Sequence, residues 1–439
     1  MKLQRLTGTL GILLILNACT QHKPDPSKAD QLTDSSNQQV NLPAPYQTKS
    51  VHNYCKVIGW ANGAIPKAPA GFTVNAFAGG GLDNPRNILV APNGDVFVAQ
   101  ANTEITGIKK WGADLIGVGK SQKLGKSANN ILLLRDTNGD GKADVKTVFL
   151  SNLNQPYGML IAGNFFYVAN TDGVWKYDYT PGQTKINKAG IMILSLPAGG
   201  YNNHWTRNLR LSPDSKQLFI SVGSGSNAAE HGISNEVRRA DILATDLNGK
   251  GEHIYASGLR NPAGIDFQPT TGTLWAAVNE RDDLGDELVP DYLTSVKQGG
   301  FYGWPYSYWG QHTDPRVEPQ RPDLVKKAIV PDVSLGAHTA SLGLAFYSGQ
   351  LFPKVYQGGA FIGQHGSWNR SLLSGYKVMF VPFTNGKPGK PQDFLTGFMA
   401  NSANNEVHGR PVGVAVAKDG SLLVADDTGN RIWRISTTK

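Results

Sequence analysis

The amino-acid sequence predicts an all-β chain folded as a six-bladed β-propeller, on three grounds: its composition, a hairpin unit repeated along it, and the spacing of the repeats. Its 51 glycines and 25 prolines make about 17% of 439 residues, against a usual total of roughly 12%, and so many helix breakers favour turns and strands. Hydrophobic residues at 40% and charged ones at 17% exclude a coiled coil and a wholly disordered chain. The unit is a Pro or small-residue lead-in, a short strand with alternating apolar positions, a turn rich in Asn, Asp, Gly or Pro, and a second strand. It reads NPRNILVAPNGDVFVAQAN from Asn84, QPYGMLIAGNFFYVAN from Gln155, RNLRLSPDSKQLFISVGSGSN from Arg207, NPAGIDFQPTTGTLWAAVNE from Asn261, SLGLAFYSGQLF from Ser341 and RPVGVAVAKDGSLLVADDTGNRIWRI from Arg410. The copies start 71, 52, 54, 80 and 69 residues apart, which fits six blades with insertions of varied length. A hairpin cannot bury both faces alone, whereas radially stacked sheets cover one another. Two separate β-sandwiches would also use hairpins, but a unit running through the whole chain leaves no boundary between them.

Before the first unit the chain changes character twice. Lys2 and Arg5 precede an apolar run over residues 10–16, far shorter than the roughly 20 residues of a membrane-spanning helix, so residues 1–18 read as a signal peptide. The run ends in Leu-Asn-Ala-Cys, which resembles a bacterial lipobox with Cys19 as the acylated first residue of the mature protein; an ordinary secretory signal with an incidental Cys is the alternative. Thr20 after it points to the outer membrane, on the periplasmic face. Residues 19–50 are polar and Pro-rich and read as a disordered tether; residues 51–439 form the propeller domain. No later stretch is apolar enough to span a membrane, so contact with lipid comes only through the anchor. The net charge of +8 is spread over doublets such as Arg238-Arg239, which gives no nucleic-acid patch. With Cys19 acylated, Cys55 has no disulfide partner and reads as a small buried apolar residue.

Several loops between strands could carry chemistry. Asp136, Asn138, Asp140 and Asp144 stand at positions 1, 3, 5 and 9 of a loop with Gly141 at 6, the spacing of an oxygen-ligated Ca²⁺ loop, although position 12 is Thr147 rather than Glu. A polar β-turn explains the same residues. His204, in YNNHWTRNLRLSPD, precedes one repeat strand, and Arg260-Asn261, in GLRNPAGIDF, precede the next. Imidazole suits proton transfer near neutral pH; guanidinium offers a planar fork for carboxylates. The acidic NERDDLGDEL stretch and the aromatic GGFYGWPYSYWG stretch follow in that order. No G-x-G-x-x-G sits in a βαβ setting and no G-x-S-x-G elbow occurs, so nicotinamide and serine-nucleophile chemistry are disfavoured.

Taken in order, these motifs resemble the pyrroloquinoline-quinone (PQQ) dependent glucose and sorbosone dehydrogenase family, with further matches to its sorbosone-like branch in LGAHTASLGLAFY, GQHGSWNRS and HGRPVGVAVAKDG. The resemblance covers roughly residues 71–435. It implies a propeller holding PQQ over its axis with a bridging Ca²⁺ ion, His204 as general base while hydride passes to C5 of PQQ, and Arg260 and Asn261 beside the quinone oxygen. It places the ion near the backbone of Arg281 and Asp282, with Asp286 as a further candidate ligand, and makes Arg370 and Arg410 cofactor-binding cations. Three departures stand out. Arg281-Asp282 replaces Gly-Pro; Val412 replaces the second of two arginines; and the cofactor-pairing lysine has no clean counterpart, Arg370 being the nearest substitute. The implied activity is oxidation of an aldose or aldehyde to a lactone or acid, with electrons passing to a separate acceptor. A Ca²⁺-dependent lactonase and a cofactor-free cell-surface binding propeller are the rival readings.

Overall fold

A computed structural model describes residues 40–438 apart from 62 and 106; the signal segment and Cys19 lie outside the described residues. Among those residues six sheets have four or more strands. The first runs Pro85–Val90, Val96–Gln100, Asn130–Arg135, Val145–Leu150; five of the six predicted units supply the first two strands of their own antiparallel sheet, whereas the unit from Ser341 supplies only Ser341–Phe346, the second strand, Ala360–Gln364, lying beyond it. In the third sheet, Gly300–Phe301 adds a parallel fifth strand against His253–Ser257. The sixth sheet takes Phe72–Gly79, from the start of the domain, as its outermost strand against Arg431–Thr437. Both ends of the domain therefore meet in one sheet.

Packing follows from the burial problem the hairpins pose. Each large apolar cluster spans two successive sheets: Phe97 and Phe149 of the first meet Phe166 of the second, and Val424 and Trp433 of the sixth meet Phe361 and Phe380 of the fifth. Phe166 is fully buried, with its ring centroid 5.0 Å from Phe97 and 5.2 Å from Phe149. Phe166→Ala should cost ~3–5 kcal/mol, since the cavity it leaves lies between two sheets that cannot both collapse into it. A lowered denaturant midpoint at unchanged slope would report this.

The first strands of the six sheets pack each against the next, and the last returns to the first. They approach so closely that four of the six equivalent positions are glycine. A Cβ on Gly158 would meet Arg207 O at 2.7 Å, and one on Gly413 would meet Arg86 O at 2.7 Å. The other two positions are asparagines that reach across: Asn87 Nδ2 donates to Tyr157 O (3.1 Å) and Asn208 Nδ2 to Ala263 O (2.9 Å). The residues just before these six positions are Arg86, Tyr157, Arg207, Ala263, Leu342 and Val412. Four of them, Tyr157, Ala263, Leu342 and Val412, form a separate buried apolar plug at the centre.

Two features differ from the sequence expectation. Residues 40–50, assigned to the tether by their polarity, lie against the domain. Val40 and Leu42 pack on the cluster between the third and fourth sheets, Tyr46 N donates to Leu284 O at 2.8 Å, and Asp286 N donates to Thr48 Oγ1. A few apolar side chains and backbone bonds suffice to order a segment whose average composition is that of a linker. A helix, Gly107–Leu115, also interrupts the first sheet's connection. Cys55 is buried and has no disulfide partner among the described residues. No helix among the described residues is long and apolar enough to cross a membrane.

Candidate active site

A cavity of about 1220 Å³ opens above the central plug, with Leu342 in its lining. His204, Arg260, Asn261, Asp282 and Arg410 all line it, so residues more than 200 positions apart converge as the repeat phase requires.

His204 stands in the loop before the third sheet. Arg207, at the axial position of that sheet and fully buried, donates Nη1 to His204 O at 2.6 Å and Nη2 to Pro197 O at 2.7 Å, which fixes the loop. His204 Nδ1 lies 2.9 Å from both Ser224 O and Ser224 Oγ. Ser224 O is a carbonyl and Ser224 Oγ spends its hydrogen on Ser226 O at 2.6 Å. Both neighbours therefore accept, so Nδ1 carries the proton and Nε2 bears a lone pair. No described protein group bonds Nε2. Burial deep in the molecule, then the charge of Arg260, lowers the imidazole pKa to about 3, although the ring keeps an edge on the cavity. Gly223 permits this approach, because a Cβ there would lie 2.6 Å from His204 Cβ and 2.5 Å from Asn261 Oδ1. The VGSGSN stretch thus serves as a close-packed cradle.

Arg260 is buried and donates to Glu280 O (2.5 Å), Asn227 O (3.1 Å), Asn227 Oδ1 (2.8 Å) and Asp282 Oδ2 (3.1 Å). The other oxygen of Asp282 faces His338 Nδ1 at 3.3 Å, while His338 Nε2 faces Gly285 O at 2.9 Å. Burial works against charge on both groups, but this mutual bond holds the Asp282 pKa down and the His338 pKa up. Asn261 Oδ1 is buried with no protein partner.

Sequence reasoning missed a second polar group across the cavity. Arg86 Nη1 and His365 Nε2 share Asp427 Oδ2, at 2.5 and 2.8 Å. Arg86 and His365 line the cavity, and Arg86 Nε is buried without a partner. Burial and the neighbouring Arg410 lower the His365 pKa to about 4. Repeat phase could have found Arg86, which holds the axial position one sheet on from Val412; the carboxylate that binds it is 341 residues away.

Other expectations need correction. Arg370 faces away from the cavity: its Nη2 donates to Glu287 Oε1 at 2.5 Å and Nη1 to Ala337 O. In the same GQHGSWNRS loop, His365 and Trp368 take the cavity side. Arg410 lines the cavity, but its Nε, Nη1 and Nη2 each donate to a backbone carbonyl, of His365, Ser121 and Gly366. Asp286 accepts from Ser371 N and Oγ and lies outside the lining. The Arg281 side chain is fully buried between Glu280 and Asp314.

The loop does not fit the expected Ca²⁺. Asp282 O already accepts from Arg316 Nη1 at 2.7 Å and from Asn227 Nδ2 at 3.1 Å, so both lone pairs are taken, one by a cation. Arg281 O accepts from Val289 N. In the Asp136 loop the acceptors turn inward: Asp136 caps Gly139 N and Gly141 N, Asn138 caps Asp140 N, Asp140 caps Lys142 N, and Asp144 holds Thr137. These are the bonds of a self-capped polar turn, and no described group of three His, Cys, Asp or Glu is placed to hold a metal.

The donor set does fit a flat polyanion carrying carbonyl oxygens. Arg86, Arg260, Arg316 and Arg410 surround the cavity, with an unpartnered buried Nε on Arg86; the unpartnered amide oxygen of Asn261 is an acceptor and suits an N–H or O–H of a ligand instead.

Fold and cavity place the chain in the class of all-β proteins that build a polar site over the centre of a ring of sheets. Solved structures agree in fold: the iodide structure of the Trichoderma reesei carbohydrate-active enzyme of family AA12 superposes with a TM-score of 0.69 at 20% identity, covering 88% of this chain and all of that one. The holo form of the PQQ domain of Coprinopsis cinerea pyranose dehydrogenase gives 0.67 at 20% identity, covering 85% of this chain and 97% of that one. The TrAA12-like family model matches residues 66–308 and 320–438, and the chain belongs to this family. The PQQ-dependent pyranose dehydrogenase of Coprinopsis cinerea is 24% identical over 427 residues, covering 81% of this chain and 52% of its own length, so the chain spans about half of that relative.

Proposed function

We propose that the chain is a PQQ-dependent dehydrogenase that oxidises aldose sugars or aldehydes, sorbosone-like substrates included, to lactones or acids, with its six sheets as the blades of a propeller. The observation that carries this reading is the forced tautomer of His204, which leaves Nε2 as a proton acceptor at the floor of a cavity ringed by guanidinium groups. Bound PQQ supplies a two-electron acceptor for hydride. His204 Nε2 takes the proton of the substrate hydroxyl, and Ser224 steadies the imidazolium through Nδ1. Arg260, held by Asp282 and Asn227, would offer a fixed positive charge to a carbonyl oxygen of the bound cofactor. Asn261 through Nδ2, Arg86, and Arg410 through the N–H groups not given to backbone carbonyls would hold the cofactor's oxygen atoms. Cys19 acylation would tether the domain at the periplasmic face of the outer membrane, where a separate acceptor takes the electrons.

Reconstitution with PQQ and a panel of aldoses, sorbosone and simple aldehydes tests the reading. Dye-linked oxidation is expected; its absence across the panel would sink it. Calcium has no part in this reading, because the carbonyl it would need is bonded to Arg316. PQQ affinity should therefore be the same with EDTA present as without it, by absorbance titration. The same carbonyl occupancy disfavours the metal-dependent lactonase, which predicts lactone hydrolysis lost on chelation.

A further inference from the structure

The segment before the first sheet carries one ring over the cavity and meets a second there. Tyr54 and Trp368 both line the cavity, both are partly exposed, and their planes lie 4° from parallel with centroids 5.9 Å apart. The pair is held rigidly. Asn53 N donates to Trp368 O at 2.7 Å and Asn53 Nδ2 to Ser371 O at 2.9 Å, so the two segments move as one. His52 packs edge-on against Trp368 at 5.1 Å and faces Asp283 Oδ1 at 3.4 Å, while Asn369 Nδ2 holds the same oxygen. Tyr54 shares the cavity lining with Asp282 and Asp283, of the loop that holds Arg260, and burial, then those two carboxylates, raises its pKa.

Exposure separates this pair from the floor. Arg86, Arg260, Asn261, His365 and Arg410 are 2–9% exposed, whereas the two rings stand at the outer wall beside an exposed His52. The floor suits what binds first and stays. Flat apolar rings at the mouth of a polar site suit what enters and leaves: a pyranose offers one face of C–H bonds to an aromatic surface and its hydroxyls to neighbouring carboxylates such as Asp283.

We propose that Tyr54 and Trp368 form the sugar-stacking wall of this cavity and set its preference for pyranose rings over open-chain aldehydes. The proposal rests on the sugar-oxidising reading above, and its test separates the two. In the full chain loaded with PQQ, Trp368→Ala and, from the other segment, Tyr54→Leu should each raise the ratio of the D-glucose KM to the glyceraldehyde KM by about tenfold, the scale of one good aromatic contact. Trp368→Phe should recover most of the loss, and PQQ affinity should stay at the wild-type value. An unchanged KM ratio, or weakened PQQ binding with the ratio unmoved, overturns the proposal, the latter assigning the rings to the cofactor. Independently of turnover, D-glucose should shift tryptophan emission saturably in the wild type and not in Trp368→Phe. If the wild type shows no shift, the wall is not a sugar site even where oxidation is found; if it shifts without any oxidation, the enzyme reading fails alone.

Discussion

Replacing His204 by alanine is expected to lower kcat for sugar oxidation by about 10²–10⁴-fold, the usual range for losing a general base, while PQQ binding persists. The split follows from geometry: Nδ1 is spent on Ser224 and Nε2 faces the cavity, so the side chain holds no group that binds the cofactor's acids. The pH dependence provides a finer check. With the imidazole lowered to about 3 by burial and then by Arg260, the base stays unprotonated through the neutral range, and the acid limb of kcat/KM should lie well below the ordinary histidine value near 6.5. A polyanion placed against Arg260 offsets the second of those causes. Both kcat/KM and kcat report PQQ-loaded enzyme, so both limbs should sit higher than about 3 and below 6.5. An acid limb at or above 6.5 would show that another group accepts the proton.

What the sequence disclosed and what it hid divide along a physical line. The sheets were legible because each unit repeats a local rule, alternating strands around a turn, and local rules survive irregular insertions. His204, Arg260, Asn261 and Arg410 were legible for a related reason: all stand just before a repeat strand, and the lead-in to an inner strand points at the axis. Arg86 instead lies inside its strand, Pro85–Val90, and looks like an ordinary strand residue until Asp427 is brought to it from the far end of the chain. Arg370 and Asp286 were misread because, outside a strand, spacing does not say which side of a loop faces the cavity; each found a partner in the other's segment, Glu287 and Ser371. The Asp136 loop misled because Asp, Asn and Gly at alternate positions build a self-capped turn as readily as an ion cage. The tether was drawn too long, since composition averages over the few side chains that decide docking.

Arg86→Met is expected to weaken PQQ binding by about 10–100-fold, the worth of one or two charge-assisted hydrogen bonds, and to lower thermal stability as well. The second effect arises because Arg86 and His365 share one oxygen of buried Asp427, whose other oxygen has no partner. Without the guanidinium that carboxylate is left facing a histidine whose pKa lies near 4, and a buried charge stripped of its partner is costly. The companion change Val412→Arg tests whether the guanidinium that the resemblance implies at 412 can be supplied there instead. Val412 is fully buried in the plug with Tyr157, Ala263 and Leu342, and its carbonyl lies against Gly343 and Gly363. An arginine would have to displace that plug or leave a charge unpaired inside it. The double variant should therefore bind PQQ no better than Arg86→Met and unfold at a lower temperature. Recovered affinity in the double variant would mean that the plug can open to admit a side chain at 412, and that the cation at 86 is one of two interchangeable solutions around the ring.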